Sequence, residues 1–150
     1  SLGFANSKAR LRMMTLYQIS ASTSGIVVGT GNKIEDFGVG FYTKYGDGGV
    51  DISPIADCTK TQVWAIGKEL GILEEIQMAE PTDGLWSDGR TDTDQLGMSY
   101  KEIEHLMTRP DEPMYDKYLA IRKKNLHKMK PIPVCKFDGK DTLDTDQKKT

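Results

Sequence analysis

Gly25-Ile26-Val27-Val28-Gly29 constrains this chain most: three consecutive β-branched residues stand between two glycines with nothing polar among them. Branching at Cβ suits extended backbone, and an unbroken apolar run is what a strand covered on both faces requires. A helical pattern leads into it. From Lys8 the apolar residues Ala9, Met13, Leu16 and Tyr17 recur at helical spacing, with Asn6 or Ser7 placed to cap the first turn, which predicts a helix to about Ser20. A helix feeding a doubly covered strand is the pattern of an α/β domain built on a parallel sheet.

Gly29-Thr30-Gly31-Asn32 leaves the C-terminal end of the predicted strand, the edge where open α/β sheets bind ligands. Six of the 15 glycines fall between Thr30 and Pro54, which predicts a long loop. The segment nevertheless carries Phe37, Phe41, Tyr42, Lys44 and Tyr45, and loops of this length in compact domains are often functional. Glu35 could offer oxygen ligands to Mg²⁺ beside a phosphate-binding turn, or be a solvated loop carboxylate. In the stretch from Phe41 to Asp51, Gly46, Gly48 and Gly49 permit close backbone approach to a ligand, Lys44 supplies a point charge and Asp51 an acceptor. A glycine-rich hairpin with solvated charges accounts for the same residues equally well.

Asp57 is placed to cap a helix from about Cys58 to Leu70, with Val63, Ile66 and Leu70 on one face and Gly71 at its end. Lys60 falls in its first turn, where free N–H groups and the helix dipole favour an anion such as phosphate. Residues 80–97 are dense in Asp, Thr and Gly and read as a loop around Trp86. Ser99 and Glu102 form a capping box for a helix over Ile103, Leu106 and Met107 that stops before Pro110. Pro113 opens a last helix carrying Tyr115, Tyr118 and Leu119. Arg122, Lys123, His127 and Lys128 then sit as cations toward its C-terminus. Residues 1–135 read as one domain, and the polar segment 136–150 is expected to be disordered.

Charge and composition narrow the function. Twenty basic and 22 acidic residues leave a formal charge of -2, so no polyanion-binding field exists and nucleic acid is not an expected partner. No apolar run approaches the roughly 20 residues that span a bilayer, and no leader pattern is present, so neither membrane nor secretion is expected. Cys58 and Cys135 lack close partners, which fits a reducing, cytoplasmic setting. Ser1-Leu2-Gly3-Phe4 has no initiator methionine and runs straight into helical pattern, so further sequence upstream is expected.

Three ordered motifs carry a family resemblance. GTGNKIEDFGVGFYTKYGDGGVDISPI closely resembles the signature of the NAD synthetase family, and NSKARLRMM upstream and PTDGLWSDGRTDTDQLG downstream resemble its flanking motifs. The resemblance implies an ammonia-dependent ligase of the ATP-pyrophosphatase superfamily, with a three-layer, Rossmann-like adenine-nucleotide hydrolase fold: a parallel sheet flanked by helices, its N-terminal strands absent from this chain. It implies a homodimer with the dinucleotide site at the interface. The nicotinate carboxylate of deamido-NAD⁺ attacks ATP to give an acyl-adenylate and pyrophosphate, and ammonia then displaces AMP. By position, Thr30, Lys60 and Thr82 match ATP-binding residues and Glu35 a Mg²⁺ ligand. Arg10, Lys44, Asp51, His127 and Lys128 match residues that hold deamido-NAD⁺. No nucleophile or general base is assigned.

The family's SGGxDS loop, which cradles pyrophosphate, occurs nowhere in the chain. It is expected to lie upstream, and the chain to be active only with it. Two alternatives stay open: a catalytically dead nucleotide-binding or dimer-scaffolding remnant, and a related ATP pyrophosphatase such as GMP synthetase. The FYTKYGDGG stretch argues against the latter.

Overall fold

The computed structural model describes residues 1–135; the predicted polar tail, 136–150, lies outside them. A long helix α1 (Leu2–Thr23) leads through an extended segment at 26–28 into a six-residue π-helix (Ile34–Val39). Then follow α2 (Lys60–Glu69), α3 (Glu74–Gln77), α4 (Asp92–Leu96), α5 (Tyr100–Leu106) and α6 (Tyr115–Met129).

The expected parallel sheet is not there. Among the described residues there is no β-strand, only an isolated parallel bridge between Val28 and Ile52. Three backbone bonds hold that crossing: Gly29 N–H to Ile52 O (2.7 Å), Asp51 N–H to Val27 O (2.9 Å) and Ile52 N–H to Val27 O (3.4 Å). Val27 is 6% exposed, but Ile26 and Val28 on either side of it are 60% and 51% exposed. The run is thus covered on one side and joined along one edge only. β-Branching disposes a segment to extend, but a sheet also needs neighbouring strands, and one short partner does not make a ladder.

The core instead gathers where the π-helix meets α5 and α6. Ile34, Val39, Leu96, Met98, Tyr100, Ile103, Leu106 and Tyr118 form one buried cluster, with Phe41, Met107, Tyr115 and Ile121 packed against it. The π-helix starts because Asn32, 1% exposed, turns its Oδ1 to accept from the N–H groups of Ile34 (2.9 Å) and Glu35 (3.2 Å). It stops at Gly40, whose φ of 66° lies in the left-handed region. A Cβ on Gly40 would stand 2.7 Å from Asn125 Cβ and 2.8 Å from Met129 Cε, so α6 packs directly on bare backbone. Asn125 Nδ2 donates to Val39 O (2.9 Å), and Arg122 donates to the carbonyls of Phe37 and Gly38, satisfying the end of the π-helix. Glycine density had pointed to a loop here. The polar clamp from α6, 86 residues along the chain, makes a regular turn stable.

Several helix boundaries move for identifiable reasons. α1 begins six residues before the expected Lys8 without a cap from Asn6 or Ser7; Asn6 instead accepts from Thr43 Oγ1 (2.7 Å) and Ser7 donates to Gly3 O (3.0 Å). Thr59, not Asp57, caps α2, in a capping box with Gln62, while Asp57 pairs with Lys33 (2.9 Å). The expected apolar face of α2 buries nothing, Ile66 and Leu70 both being exposed. Residues 80–97 contain α4, started by a capping box of Thr91 and Asp94 and ended at Gly97, where a loop was expected. The Ser99 and Glu102 box opens α5 as expected. Pro113 lies two residues ahead of α6, which begins at Tyr115.

Candidate active site

A cleft of about 470 Å³ opens between α1, the 27–30 segment, the π-helix, α2 and the 81–92 segment. Thr30, Glu35, Lys60 and Thr82 all line it, so the four residues expected to face ATP and a metal are brought together from four separate stretches. Asp92 lines the same cleft and was not singled out by the sequence.

Glu35 is the hub. Its Oε2 accepts from Asn32 N–H (3.2 Å), returning the bond by which Asn32 starts the π-helix. Its Oε1 accepts from Tyr100 OH (2.6 Å) and Lys60 Nζ (3.2 Å). The side chains of Lys60 and Glu35 are 19% and 15% exposed, so the pair is largely shielded from water. Lys60 Nζ also lies 4.6 Å from the centroid of the Tyr100 ring, a cation–π contact. Tyr100 OH is 2.7 Å from Asp92 Oδ2, while Asp92 Oδ1 is buried without a hydrogen-bond partner. Burial raises the Asp92 carboxyl above its ordinary range; the Tyr100 hydrogen bond opposes this, and the charge of Glu35 adds to it. Burial, then the Glu35 charge, drives the Tyr100 phenol upward, so it remains a donor.

The first turn of α2 does not offer its amides to a ligand as expected. Thr61 N–H and Oγ1 donate to Glu104 (2.9 and 2.6 Å), and Gln62 N–H donates to Thr59 Oγ1 (3.3 Å). The anion the helix dipole asks for is supplied from α5, and the Lys60 side chain faces the cleft. Thr82 Oγ1 donates to Arg90 O (3.2 Å) and accepts from Gly84 N–H (3.2 Å), which shapes the cleft's far wall. Lys8 Nζ bonds Leu85 O (2.9 Å) and Arg12 bonds Asp83 O (3.4 Å) and Gly84 O (3.2 Å), tying that wall to α1. Arg12 lines the cleft and was missed. The spacing of Lys8 and Arg12, one helical turn apart, was the available signal.

The residues expected to hold deamido-NAD⁺ are not gathered in one cavity. Arg10 Nε donates to Lys44 O (3.2 Å) and Lys44 Nζ to His127 O (3.4 Å), linking α1, the glycine-rich segment and α6 along an exposed surface. Lys128 faces a second cleft of about 190 Å³ with Asp36 and Asp47; its Nζ donates to Tyr42 O (2.6 Å), and burial lowers its ammonium below the usual range. Asp51 lines neither cleft and takes Val27 N–H (2.7 Å) and Tyr17 OH (3.2 Å), fastening the extended segment to α1 and the turn.

Among the described residues no group of three or more His, Cys, Asp or Glu side chains is placed to hold a metal ion. Glu35 and Asp92 are two carboxylates on one cleft, and Mg²⁺ commonly takes only one or two from the protein and the rest from phosphate and water. No helix among the described residues is long and apolar enough to cross a membrane.

Comparison with known proteins supports the family resemblance. The profile of the NAD synthase family matches residues 2–137. The chain is 42% identical over 134 residues to an NH(3)-dependent NAD(+) synthetase of Carboxydothermus hydrogenoformans, covering 88% of this chain and 54% of that one. It is 48% identical over 102 residues to one of Methanococcoides burtonii, covering 68% and 38%. Among solved structures, the NMN synthetase of Francisella tularensis superposes with a TM-score of 0.82 at 35% identity, over 89% of this chain and 56% of that one. The NH3-dependent NAD synthetase of Campylobacter jejuni gives 0.62 at 28% identity, over 87% and 54%. The chain thus spans about half the length of the curated relatives it matches. With every described residue but the first inside the family match, the chain belongs to the NAD synthase family.

Proposed function

We propose that this chain serves ATP-dependent amidation of deamido-NAD⁺ to NAD⁺, with ammonia as nitrogen donor and AMP and pyrophosphate as leaving products. The observation that carries the reading is the convergence of Thr30, Glu35, Lys60 and Thr82 on one cleft. Lys60 Nζ stands at the cleft wall, held by Glu35, where a triphosphate would compete for it. As negative charge develops on departing pyrophosphate, a fixed ammonium in a shielded site lowers the adenylation barrier more than it favours bound ATP. Thr30 and the wall set by Thr82 orient the nucleotide. Arg10 and Lys44 supply cations on the adjoining exposed face for the phosphates and carboxylate of the dinucleotide, with His127 beside them and Lys128 in the second cleft, and Asp51 fastens the neighbouring extended segment to α1.

Glu35 and Asp92 fit a Mg²⁺ ion, because the buried Asp92 Oδ1 has no other partner and hard cations take carboxylate oxygens. Such an ion, bound with ATP, would neutralise phosphate charge. The exposed apolar residues of α1, among them Phe4, Leu11 and Met14 on one face, support a homodimer through this helix. Residues 1–135 act as one domain in this reading, in the cytoplasm, where Cys58 and Cys135 stay reduced.

The closer superposition on an NMN synthetase favours one second reading, in which the acid amidated is the mononucleotide and the exposed cation face is unused. Calorimetric titration with MgATP, followed by deamido-NAD⁺ and its mononucleotide counterpart, distinguishes the two. Binding of MgATP that is lost in Lys60→Met, with tighter binding of the dinucleotide, is the expected result. A preference for the mononucleotide selects the second reading, and failure to bind MgATP removes both.

A further inference from the structure

Tyr100 belongs to the hydrophobic cluster by its ring and to the cleft by its oxygen. It is 4% exposed and stands at the start of α5, held there by the Ser99 and Glu102 capping box. Its hydroxyl lies 2.6 Å from Glu35 Oε1 and 2.7 Å from Asp92 Oδ2, joining the π-helix to α4 through one atom. The edge of Lys60 is fixed over the same ring, 4.6 Å from its centroid.

A phenol carries one proton and serves one acceptor at a time. Two carboxylates therefore share one donor, and Asp92 Oδ1, itself buried, has none. Glu35 has Lys60 and Asn32 to satisfy it; Asp92 has no hydrogen-bonded or ion-paired cation and feels Lys60 only through space. Two carboxylates thus meet at one hydroxyl beside the cleft, with a single ammonium, that of Lys60, between them and one buried oxygen unpaired.

We infer that Tyr100 is a positioning residue, which clamps Glu35 and Asp92 into a paired carboxylate seat for a divalent cation in the cleft. The inference rests on the cation reading given above and adds to it the residue that sets the seat's geometry. Tyr100 does not touch the ion. It fixes the rotamers of two side chains that approach from different elements, so their oxygens need no reordering when a cation arrives. Hydrogen-bond partners of metal-ligating groups commonly alter metal affinity by about 10- to 100-fold.

Mn²⁺ binding to the 150-residue chain, read by electron paramagnetic resonance as the free-ion signal lost beyond what ATP alone removes, tests this. Four variants are compared: Tyr100→Phe, Asp92→Asn, Glu35→Gln and, as a control within the same core, Tyr118→Phe. Glu35→Gln should abolish binding and Tyr118→Phe should leave it unchanged. Tyr100→Phe should weaken Mn²⁺ by about tenfold or more, while its thermal unfolding midpoint moves no further than that of Tyr118→Phe. Asp92→Asn retains the volume and an acceptor for Tyr100, and should weaken Mn²⁺ by at least as much. If Glu35→Gln loses Mn²⁺ but Tyr100→Phe binds as the unaltered chain does, the positioning role is overturned and the cation reading survives. Asp92→Asn at unaltered affinity overturns the paired seat even if Tyr100→Phe does not fold. No Mn²⁺ binding by the unaltered chain overturns both readings together.

Discussion

Removing Lys60 should cost stability as well as function, because the pair it forms with Glu35 is shielded. At the 3.2 Å separation observed, an effective dielectric of about 20 gives a gross attraction of about 5 kcal/mol. Desolvation of the two charges offsets most of this, leaving a coupling of about 1–3 kcal/mol, above the ~0.2–1 kcal/mol of exposed pairs. Lys60→Met keeps the unbranched stem and deletes the charge. Glu35 would then retain Tyr100 OH and Asn32 N–H as donors, so the single substitution should cost about 2–3 kcal/mol and not the full loss of an isolated buried charge. Glu35→Gln completes a double-mutant cycle, read by urea unfolding through Trp64 and Trp86 fluorescence. High salt should change the coupling little, since screening acts weakly on shielded pairs. A coupling below about 0.5 kcal/mol, or one erased by salt, would show that Lys60 and Glu35 behave as a surface pair, and the reasoning about a shielded cleft would fail.

Other substitutions probe separate parts of the fold. Gly40→Ala should destabilise by about 2–4 kcal/mol, since it combines a positive φ with Cβ contacts to Asn125 and Met129 that are too close; a shift of the urea midpoint worth less than about 1 kcal/mol would show that α6 yields. Asp36, pushed up to about 6 by burial, then by the charges of Glu35 and Asp47, is favoured protonated in the folded state. Its contribution is therefore fully present below the unfolded value of 3.8 and lost as pH rises through about 6. Asp36→Asn should accordingly gain about 1–2 kcal/mol at pH 7 and flatten stability between pH 4 and 6, whereas equal curves for both proteins would rule this out. Asp51→Ala should loosen the Val27 segment and speed hydrogen exchange at Val27 N–H, while Asp51→Asn, which keeps an acceptor, should spare it; equal exchange in both would place Asp51 outside the fold's support. In an amidation assay, Lys60→Met should slow pyrophosphate release about 10²-fold, the scale of losing one fixed charge contact, and an unchanged rate would remove Lys60 from the chemistry.

Local chemistry was legible from the amino acids alone. The Ser99 and Glu102 capping box, the stop before Pro110 and the family membership all depend on residues close in sequence, whose side chains reach their own backbone or recur in fixed order. By family resemblance the ordered motifs also implied that Thr30, Glu35, Lys60 and Thr82 act together, and the structure places all four on one cleft. What depended on distant partners was not legible. Ile26 to Val28 carries a strand's composition, yet pairing is a property of neighbours, and only residues 51–52 lie alongside. The π-helix at Ile34–Val39 hides among glycines because Asn125 and Arg122 of α6 complete its hydrogen bonds from far along the chain. Asp92 fell in a stretch read as loop, and Tyr100 in the first turn of a predicted helix. Only tertiary packing brought one hydroxyl within hydrogen-bonding distance of two carboxylates, since such coincidences are set by long-range burial and leave no periodic trace in the sequence.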